Sequence, residues 1–364
     1  MVIKQTKMKI THLVYAGLGG HTNVFFTLLG ADRNSYFEYS VIFYGIEEPN
    51  ADVTNKLIVK NISFTYVRKN PGMDWLFWPK VFKVLQREKP NVVFLHSSYN
   101  VIPTLLYRLF YKAKVVVRET QANHLKTRLE KYLLGISLMF ADNVVFLTDL
   151  YQSQIKDKYN WLFDGKKVTV IPNGLDLDFF KPSPKVENPT FSIGMLSRIV
   201  PIKDHETLIR ALAHLDSEDL VLKIAGEGES IEKLQALVKN LGVEKQVIFL
   251  GRLSEDKIPT FLNELDIYVH ATFGETMSTA IMQAQACGLP IIASDVIGVN
   301  NLITSGKNGI LVDCRNVEQM AQSIMLLKED SKLRKSLGYE SEQYAKELLS
   351  CDIMFESYRK LFAE

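Results

Sequence analysis

Two doubly wound, Rossmann-like α/β domains facing a central cleft are the architecture this 364-residue sequence predicts. Three observations carry the expectation. The length exceeds one ordinary domain and suits two. Short β-branched or apolar runs alternate with longer amphipathic segments from end to end, as in parallel sheets covered on both faces. The series is interrupted between Lys181 and Thr190, where three prolines and few apolar residues describe an exposed linker.

In the first domain, residues 1–180, the strand-like runs are Ile10–Tyr15, Tyr39–Phe43, Asn91–His96, Lys114–Arg118, Asn143–Thr148 and Lys167–Ile171. The second domain, residues 191–340, has Thr190–Leu196, Leu220–Ala225, Gln246–Leu250, Ile267–His270, Pro290–Ser294 and Gly309–Val312. Amphipathic segments between them read as crossover helices, so each series makes one parallel sheet. From Lys335 to Glu364 the pattern is helical, with no strand after it.

Composition narrows the classes. A hydrophobic content of 47% with 23% charged residues excludes disordered and fibrous chains. No run approaches the ~20 apolar residues that span a bilayer. Met1 to Lys9 is polar and lysine-rich, and the apolar stretch after it is broken by Thr11 and His12, which reads as a buried strand rather than a signal peptide. Three cysteines, Cys287, Cys314 and Cys351, are odd in number and lack metal-like spacing, so a reducing, cytoplasmic setting without zinc is expected. The net charge of +2 is uneven: residues 1–180 carry 23 Lys+Arg against 15 Asp+Glu, leaving the second half acidic. That is either scatter or a basic half facing an anionic partner such as phospholipid. Nucleic acid is not expected, because the cations are dispersed and no binding motif accompanies them.

Candidate chemistry sits on loops after the strands. Gly17 to Gly20 follows the first strand, where glycines permit a tight structural turn or close approach of the backbone to a ligand, and the next helix offers free N–H groups. A nicotinamide-binding pattern is not met, because position 22 is Thr22 and the acids Glu47 and Glu48 lie past the second strand's end. Arg198 and Lys203, on a strand-to-helix loop, can converge on a diphosphate or simply line a basic surface. Glu275 precedes a helix expected to open near Thr276 to Ser278; it can cap that helix or bind sugar hydroxyls, and free N–H groups there can receive phosphate. Gln283 lies about two turns along, roughly on the same side, or is an exposed helix residue. In the first domain Arg118, Glu119 and His124 follow a buried strand, and His96 ends another. With His21, the residues His96, Arg118 and Glu119 are the acceptor-side candidates.

Together these segments resemble the family-4 group of retaining GT-B glycosyltransferases, over almost the whole chain. The series that carries the resemblance is Gly19-Gly20, Ile171 to Asp176, Gly194 to Lys203, Ile224 to Gly228, Phe249 to Arg252 and the Glu275 helix. The resemblance implies that Arg198 and Lys203 hold the donor diphosphate and steady the departing nucleotide. It makes Glu275 the first acid of a Glu-x7-Glu motif that binds the donor sugar. It sets Thr276, Met277, Ser278 and Thr279 against sugar and phosphate, Gly251 and Arg252 near the base, and His124 near the reacting sugar. The second acid of the motif is Gln283 here, which keeps hydrogen bonding to the ribose but loses charge assistance, worth about 1 kcal/mol. The family uses neither a metal nor another cofactor, and its closing helix, here around Phe355 to Phe362, crosses back to the N-terminal domain, so residues 341–364 are assigned there.

The expected function is therefore transfer of a hexose or N-acetylhexosamine, with retention, from a nucleoside diphosphate donor, UDP-linked by preference. The acceptor is a glycan on a lipid carrier, met at the inner face of a membrane. Trp75 to Lys83 and Leu105 to Lys112 mix aromatics with cations, which suits docking on anionic lipid or ordinary half-buried helices. The competing expectations are a non-catalytic glycosyltransferase-like partner subunit and a sugar-nucleotide epimerase or phosphorylase on a similar scaffold.

Overall fold

The structure is a computed structural model and describes residues 7–17, 21–72, 74–121, 126–165, 167–184, 190–215 and 217–363. The chain forms two compact units, Met1–Gly174 with Cys351–Glu364, and Leu175–Ser350.

The first unit is a seven-stranded sheet of order β3-β2-β1-β4-β5-β6-β7. Its strands are β1 (Met8–Tyr15), β2 (Phe37–Gly45), β3 (Ser63–Arg68), β4 (Val92–Leu95), β5 (Lys114–Glu119), β6 (Asn143–Phe146) and β7 (Val168–Val170), every neighbouring pair parallel. Alternate side chains of each strand enter one of two apolar layers. Leu13, Ile42, Val93 and Val115 pack with Val81, Leu85, Val101 and Leu133 of helices α3 (Phe77–Glu88), α4 (Val101–Phe110) and α5 (Arg128–Phe140). Ile10, Val41, Phe94 and Val116 pack on the other face with α1 (His21–Ala31) and with the closing helix. Helices α2 (Ala51–Val59) and α6 (Asp149–Lys158) complete the unit.

Strand β3 has no counterpart among the expected runs. This edge strand alternates polar and apolar residues along most of its length and so lacks the continuous apolar signal of the central strands.

The second unit is a six-stranded parallel sheet of order β10-β9-β8-β11-β12-β13. All six expected strands are present within a residue at either end: β8 (Phe191–Leu196), β9 (Leu220–Ala225), β10 (Val247–Gly251), β11 (Ile267–His270), β12 (Ile291–Ser294) and β13 (Ile310–Val312). Helices α7 (His205–Leu215), α8 (Ile231–Leu241), α9 (Ile258–Asn263), α10 (Thr279–Ala286), α11 (Val317–Glu329) and α12 (Ser331–Leu348) accompany them.

The crossing points differ from residues 180 and 340. Lys181 and Ser183 are tied to the second unit by Asn263, which donates to the Lys181 carbonyl at 3.1 Å and accepts from the Ser183 N–H at 2.8 Å. Helix α12 stays in the second unit, where its Ser341 hydroxyl donates to the Asn308 carbonyl at 2.8 Å. The return to the first unit therefore starts at Cys351. Helix α13 (Cys351–Ala363) lies on the first sheet, its Tyr358 and Phe362 rings 5.1 and 5.6 Å from the Phe94 ring.

Both sheets reverse strand order once, between β1 and β4 and between β8 and β11. In open parallel sheets the crevice beyond the carboxyl ends at such a point is where ligands bind.

Candidate active site

At the switch point of the second sheet, the loops after β8 and β11 are stitched together by their backbones. The Asp204 N–H donates to the Ala271 carbonyl at 3.0 Å and the Phe273 N–H to the Ile202 carbonyl at 2.9 Å. Lys203 and Glu275, far apart in sequence, consequently meet in a close ion pair, their side chains 11% and 19% exposed. Arg198, on the same loop as Lys203, is exposed.

Two glycines shape the Arg198 loop. A Cβ on Gly226 would stand 1.9 Å from the Ser197 carbonyl oxygen, and one on Gly228 would stand 2.2 Å from that of Ile199. Only bare backbone lets the loop after β9 approach so closely, and it fastens there through the Ile199 N–H, which donates to the Glu227 carbonyl at 2.8 Å.

Beneath the ion pair lies a cluster of neutral polar groups that sequence reasoning missed. Tyr268 donates its hydroxyl proton to the Leu196 carbonyl at 3.1 Å and stands 3.2 Å from His270 Nδ1. That geometry makes Nδ1–H the donor to the phenol oxygen and leaves Nε2 as an acceptor. Nε2 faces the Ser278 hydroxyl at 3.2 Å, the Lys203 ammonium at 3.5 Å and Glu275 Oε1 at 3.0 Å, so the ammonium bridges ring and carboxylate. Burial first, then the Lys203 ammonium and the neighbouring His205, hold His270 neutral well below the ordinary imidazole range. His205 is similar: its Nδ1 lies 3.1 Å from the Lys203 carbonyl and its Nε2 3.1 Å from Ser197 Oγ, and burial pushes it down to about 4. Burial and, secondly, Arg198 push Lys203 down to about 8. The only sequence sign of these histidines was a polar residue closing an apolar strand and another opening a helix.

The helix start differs from expectation. Helix α10 begins at Thr279, and Ser278 is its cap, accepting from the Ile281 N–H at 3.4 Å. Glu275 is not a cap; its carboxylate is held by Lys203, and its N–H donates to the Ile297 carbonyl at 3.2 Å. Because Glu275, Thr276 and Met277 precede the helix, helical spacing does not relate Glu275 to Gln283. Gln283 is half-buried, while the fully buried Gln285 anchors the helix by donating to the Leu302 carbonyl at 2.8 Å. Gly251 closes β10 at φ 67°, its carbonyl accepting from the Gly226 N–H at 2.8 Å, and Arg252 beyond it is exposed.

In the first unit three of the four named acceptor-side residues are buried. Glu119 is buried and accepts from the Ser98 N–H at 2.9 Å, the Ser98 hydroxyl at 2.5 Å and the Lys126 ammonium at 2.6 Å. Arg118, also buried, bonds Asn173 and is pushed below the ordinary guanidinium range by desolvation. His96 is buried with Nε2 3.0 Å from His12 Nδ1. These groups build the core of the unit rather than a surface for a ligand. His124, Gly19, Gly20 and the His21 side chain lie outside the described residues. Among the described residues no three His, Cys, Asp or Glu side chains converge as a metal site.

Fold and site together define the class: two parallel-sheet α/β units, each with a switch point, make the Rossmann-like GT-B fold. Residues 18–179 match the family described as Glycosyltransferase Family 4, and residues 177–344 that described as Glycosyl transferases group 1. The chain belongs to the family-4-like GT-B glycosyltransferases. An uncharacterized glycosyltransferase of Methanocaldococcus jannaschii is 27% identical over 233 residues, 61% of this chain and 58% of that protein. The chain thus spans little more than half the length of this relative. A lipopolysaccharide core biosynthesis glycosyltransferase of Rhizobium meliloti is 25% identical over 364 residues, 98% of this chain and 99% of that one. Among solved structures, Anabaena HepE in complex with UDP and glucose shares the fold with a TM-score of 0.82 at 18% identity, covering 98% of this chain and 100% of that one.

Proposed function

We propose that the chain is a retaining glycosyltransferase that moves a hexose or N-acetylhexosamine from a UDP-linked donor to a glycan acceptor, in cell-surface polysaccharide synthesis. The observation that carries this reading is the Lys203–Glu275 pair at the switch point of the second sheet, with Arg198 on the same loop. An ammonium and a guanidinium at a sheet's carboxyl edge suit the diphosphate of a nucleotide sugar, and the carboxylate suits the sugar's hydroxyls. The names of the relatives and the UDP in the HepE complex point the same way.

In this mechanism the diphosphate draws Lys203 from Glu275. The ammonium and Arg198 then face the negative charge that grows on the departing nucleotide, and Glu275, released, accepts from the sugar's hydroxyls. His270, neutral and fixed by Tyr268, keeps Lys203 and Ser278 in place without adding a competing charge. Gln283 holds the ribose through its amide. No metal or other cofactor takes part in the proposed step. Arg198→Ala or Lys203→Ala is expected to lower turnover by roughly 100-fold, since each removes a charge facing the leaving group. Steady-state kinetics with UDP-glucose, UDP-galactose and UDP-N-acetylglucosamine read this out, and wild-type rates in both variants would overturn the assignment. Donor binding without turnover, whatever acceptor is supplied, would favour the partner-subunit reading.

The acceptor is proposed to be a lipid-linked glycan met at an anionic membrane surface. In support, Leu109, Phe110 and Phe140 are 80%, 70% and 53% exposed on α4 and α5, beside exposed Lys80, Lys83 and Lys112. The pieces adjoin: the Phe82 ring is 6.3 Å from that of Phe110, and Arg108 donates to the Phe140 carbonyl at 2.8 Å. No helix among the described residues is long and apolar enough to cross a membrane. Sedimentation with phosphatidylglycerol vesicles is expected to carry the wild type down and to leave Leu109→Ser/Phe110→Ser in solution; equal behaviour would end this part of the proposal.

A further inference from the structure

His96, Arg118 and Glu119, expected to meet the acceptor, are buried, yet the switch point of the first sheet carries an open pocket. A cavity of about 310 Å³ lies there, beyond the carboxyl ends of β1, β2 and β4. Tyrosines form its walls. The Tyr44 and Tyr99 rings are stacked, 5.9 Å apart and 6° from parallel, and Tyr15 meets Tyr44 edge-on at 5.8 Å.

Tyr15 is the exposed member, 42% accessible in a sheet edge whose other residues are mostly covered. Its ring is held from behind by missing side chains. A Cβ on Gly17 would lie 2.4 Å from the Tyr15 ring, and one on Gly45 would lie 3.4 Å from it. The absence of side chains at Gly17 and Gly45 thus leaves the room the Tyr15 ring occupies, and the ring stays partly exposed.

Charge in the cavity is already engaged. The Lys69 ammonium donates to the Asn70 and Gly72 carbonyls at 3.3 and 3.1 Å, and the Glu130 carboxylate accepts from the Thr127 N–H at 2.7 Å and its hydroxyl at 2.8 Å. The two charges are opposite in sign, so the lining carries no net charge, and beside them lie ring faces with hydroxyls at their rim, such as the Tyr44–Ser97 pair at 3.0 Å. A pyranose has the matching surface, C–H faces for aromatic rings and equatorial hydroxyls for polar rims.

We propose that this tyrosine pocket is a subsite for one uncharged pyranose ring of the acceptor, with Tyr15 as its platform. The proposal rests on the glycosyltransferase reading above and adds the acceptor's chemistry: a neutral sugar at the reacting end rather than a phosphate or an acid.

The test is saturation-transfer NMR with the methyl glycosides of glucose, galactose and N-acetylglucosamine, one at a time. Calorimetry with UDP runs beside it on every variant. Wild type and Tyr15→Phe are expected to transfer saturation to at least one glycoside. Tyr15→Ala, and Gly17→Ala by displacing the ring, are expected to bind it about tenfold more weakly, a change of ~1.4 kcal/mol. An unchanged circular-dichroism spectrum and unfolding midpoint show that the first unit of these variants is folded, and unchanged UDP binding shows the same for the second. No transfer from wild type, or equal transfer from Tyr15→Ala, overturns the subsite; so does transfer that is lost only in Lys203→Ala, because the sugar then sits at the second sheet. Loss of UDP binding in the wild type itself would instead defeat the donor reading, so the two failures are distinct.

Discussion

Glu275→Gln is expected to tighten UDP binding while impairing sugar transfer. Two unit charges about 4 Å apart at an effective dielectric of ~20 attract by about 4 kcal/mol. In the protein most of that gain is offset by lost hydration, leaving about 1.5–3 kcal/mol for a bond to a charged partner. Both side chains here are largely covered, 11% and 19% exposed, so the pair lies within that range rather than at the near-zero value of surface pairs. A diphosphate must draw Lys203 away from this carboxylate. Glutamine keeps the shape and leaves the ammonium with neutral neighbours, His270 among them. Allowing half of the pair's energy to be recovered gives about 1 kcal/mol, or roughly fivefold tighter UDP. The assay is calorimetric titration of UDP at pH 7 into wild type, Glu275→Gln, Lys203→Met and the double variant. Lys203→Met should weaken UDP by more than tenfold, and transfer kinetics should fall in every variant. Weaker UDP binding to Glu275→Gln than to wild type would refute the competition argument, and with it the role given to the ion pair.

Three further outcomes are expected. Burial and then Arg198 push Lys203 down to about 8, while the adjoining Glu275 carboxylate favours its charged form, so it is charged at neutral pH and loses its proton from about pH 8 upward. Donor kcat/KM, which reports the free enzyme, should be full below pH 8 and fall above it, and Lys203→Arg should remove that decline; a profile flat to pH 10 in the wild type would contradict the assignment. Gly298 has φ 88°, and a Cβ there would stand 2.1 Å from the Glu275 carbonyl oxygen. Gly298→Ala should therefore shift the Glu275 loop and cost about 100-fold in kcat. Gly306→Ala, at φ 80° with open space around it, should cost about 1 kcal/mol of stability and leave kcat unchanged.

By itself the sequence determined the two-sheet architecture. Twelve of the strands announce themselves: nine lie inside their sheets and are apolar because both faces are buried, and the edge strands β7, β10 and β13 are largely apolar too, whereas the edge strand β3 alternates polar and apolar residues and passes for a loop. The loops that carry Arg198, Lys203 and Glu275 were legible as well, since glycines, cations and an acid after an apolar run leave little else for such segments to do. What the tertiary structure decided was which way side chains face and which loops meet. Arg118, Glu119 and His96 end the right strands, yet all three are buried, where Asn173, Lys126 and His12 bond them. Their neighbours Tyr15 and Tyr99, which carried no motif, line the open pocket instead. The contact of Lys203 with Glu275, and the neutral histidines beneath it, also waited on the fold, because pairing two loops some seventy residues apart depends on the parallel register of β8 and β11, which no local pattern encodes.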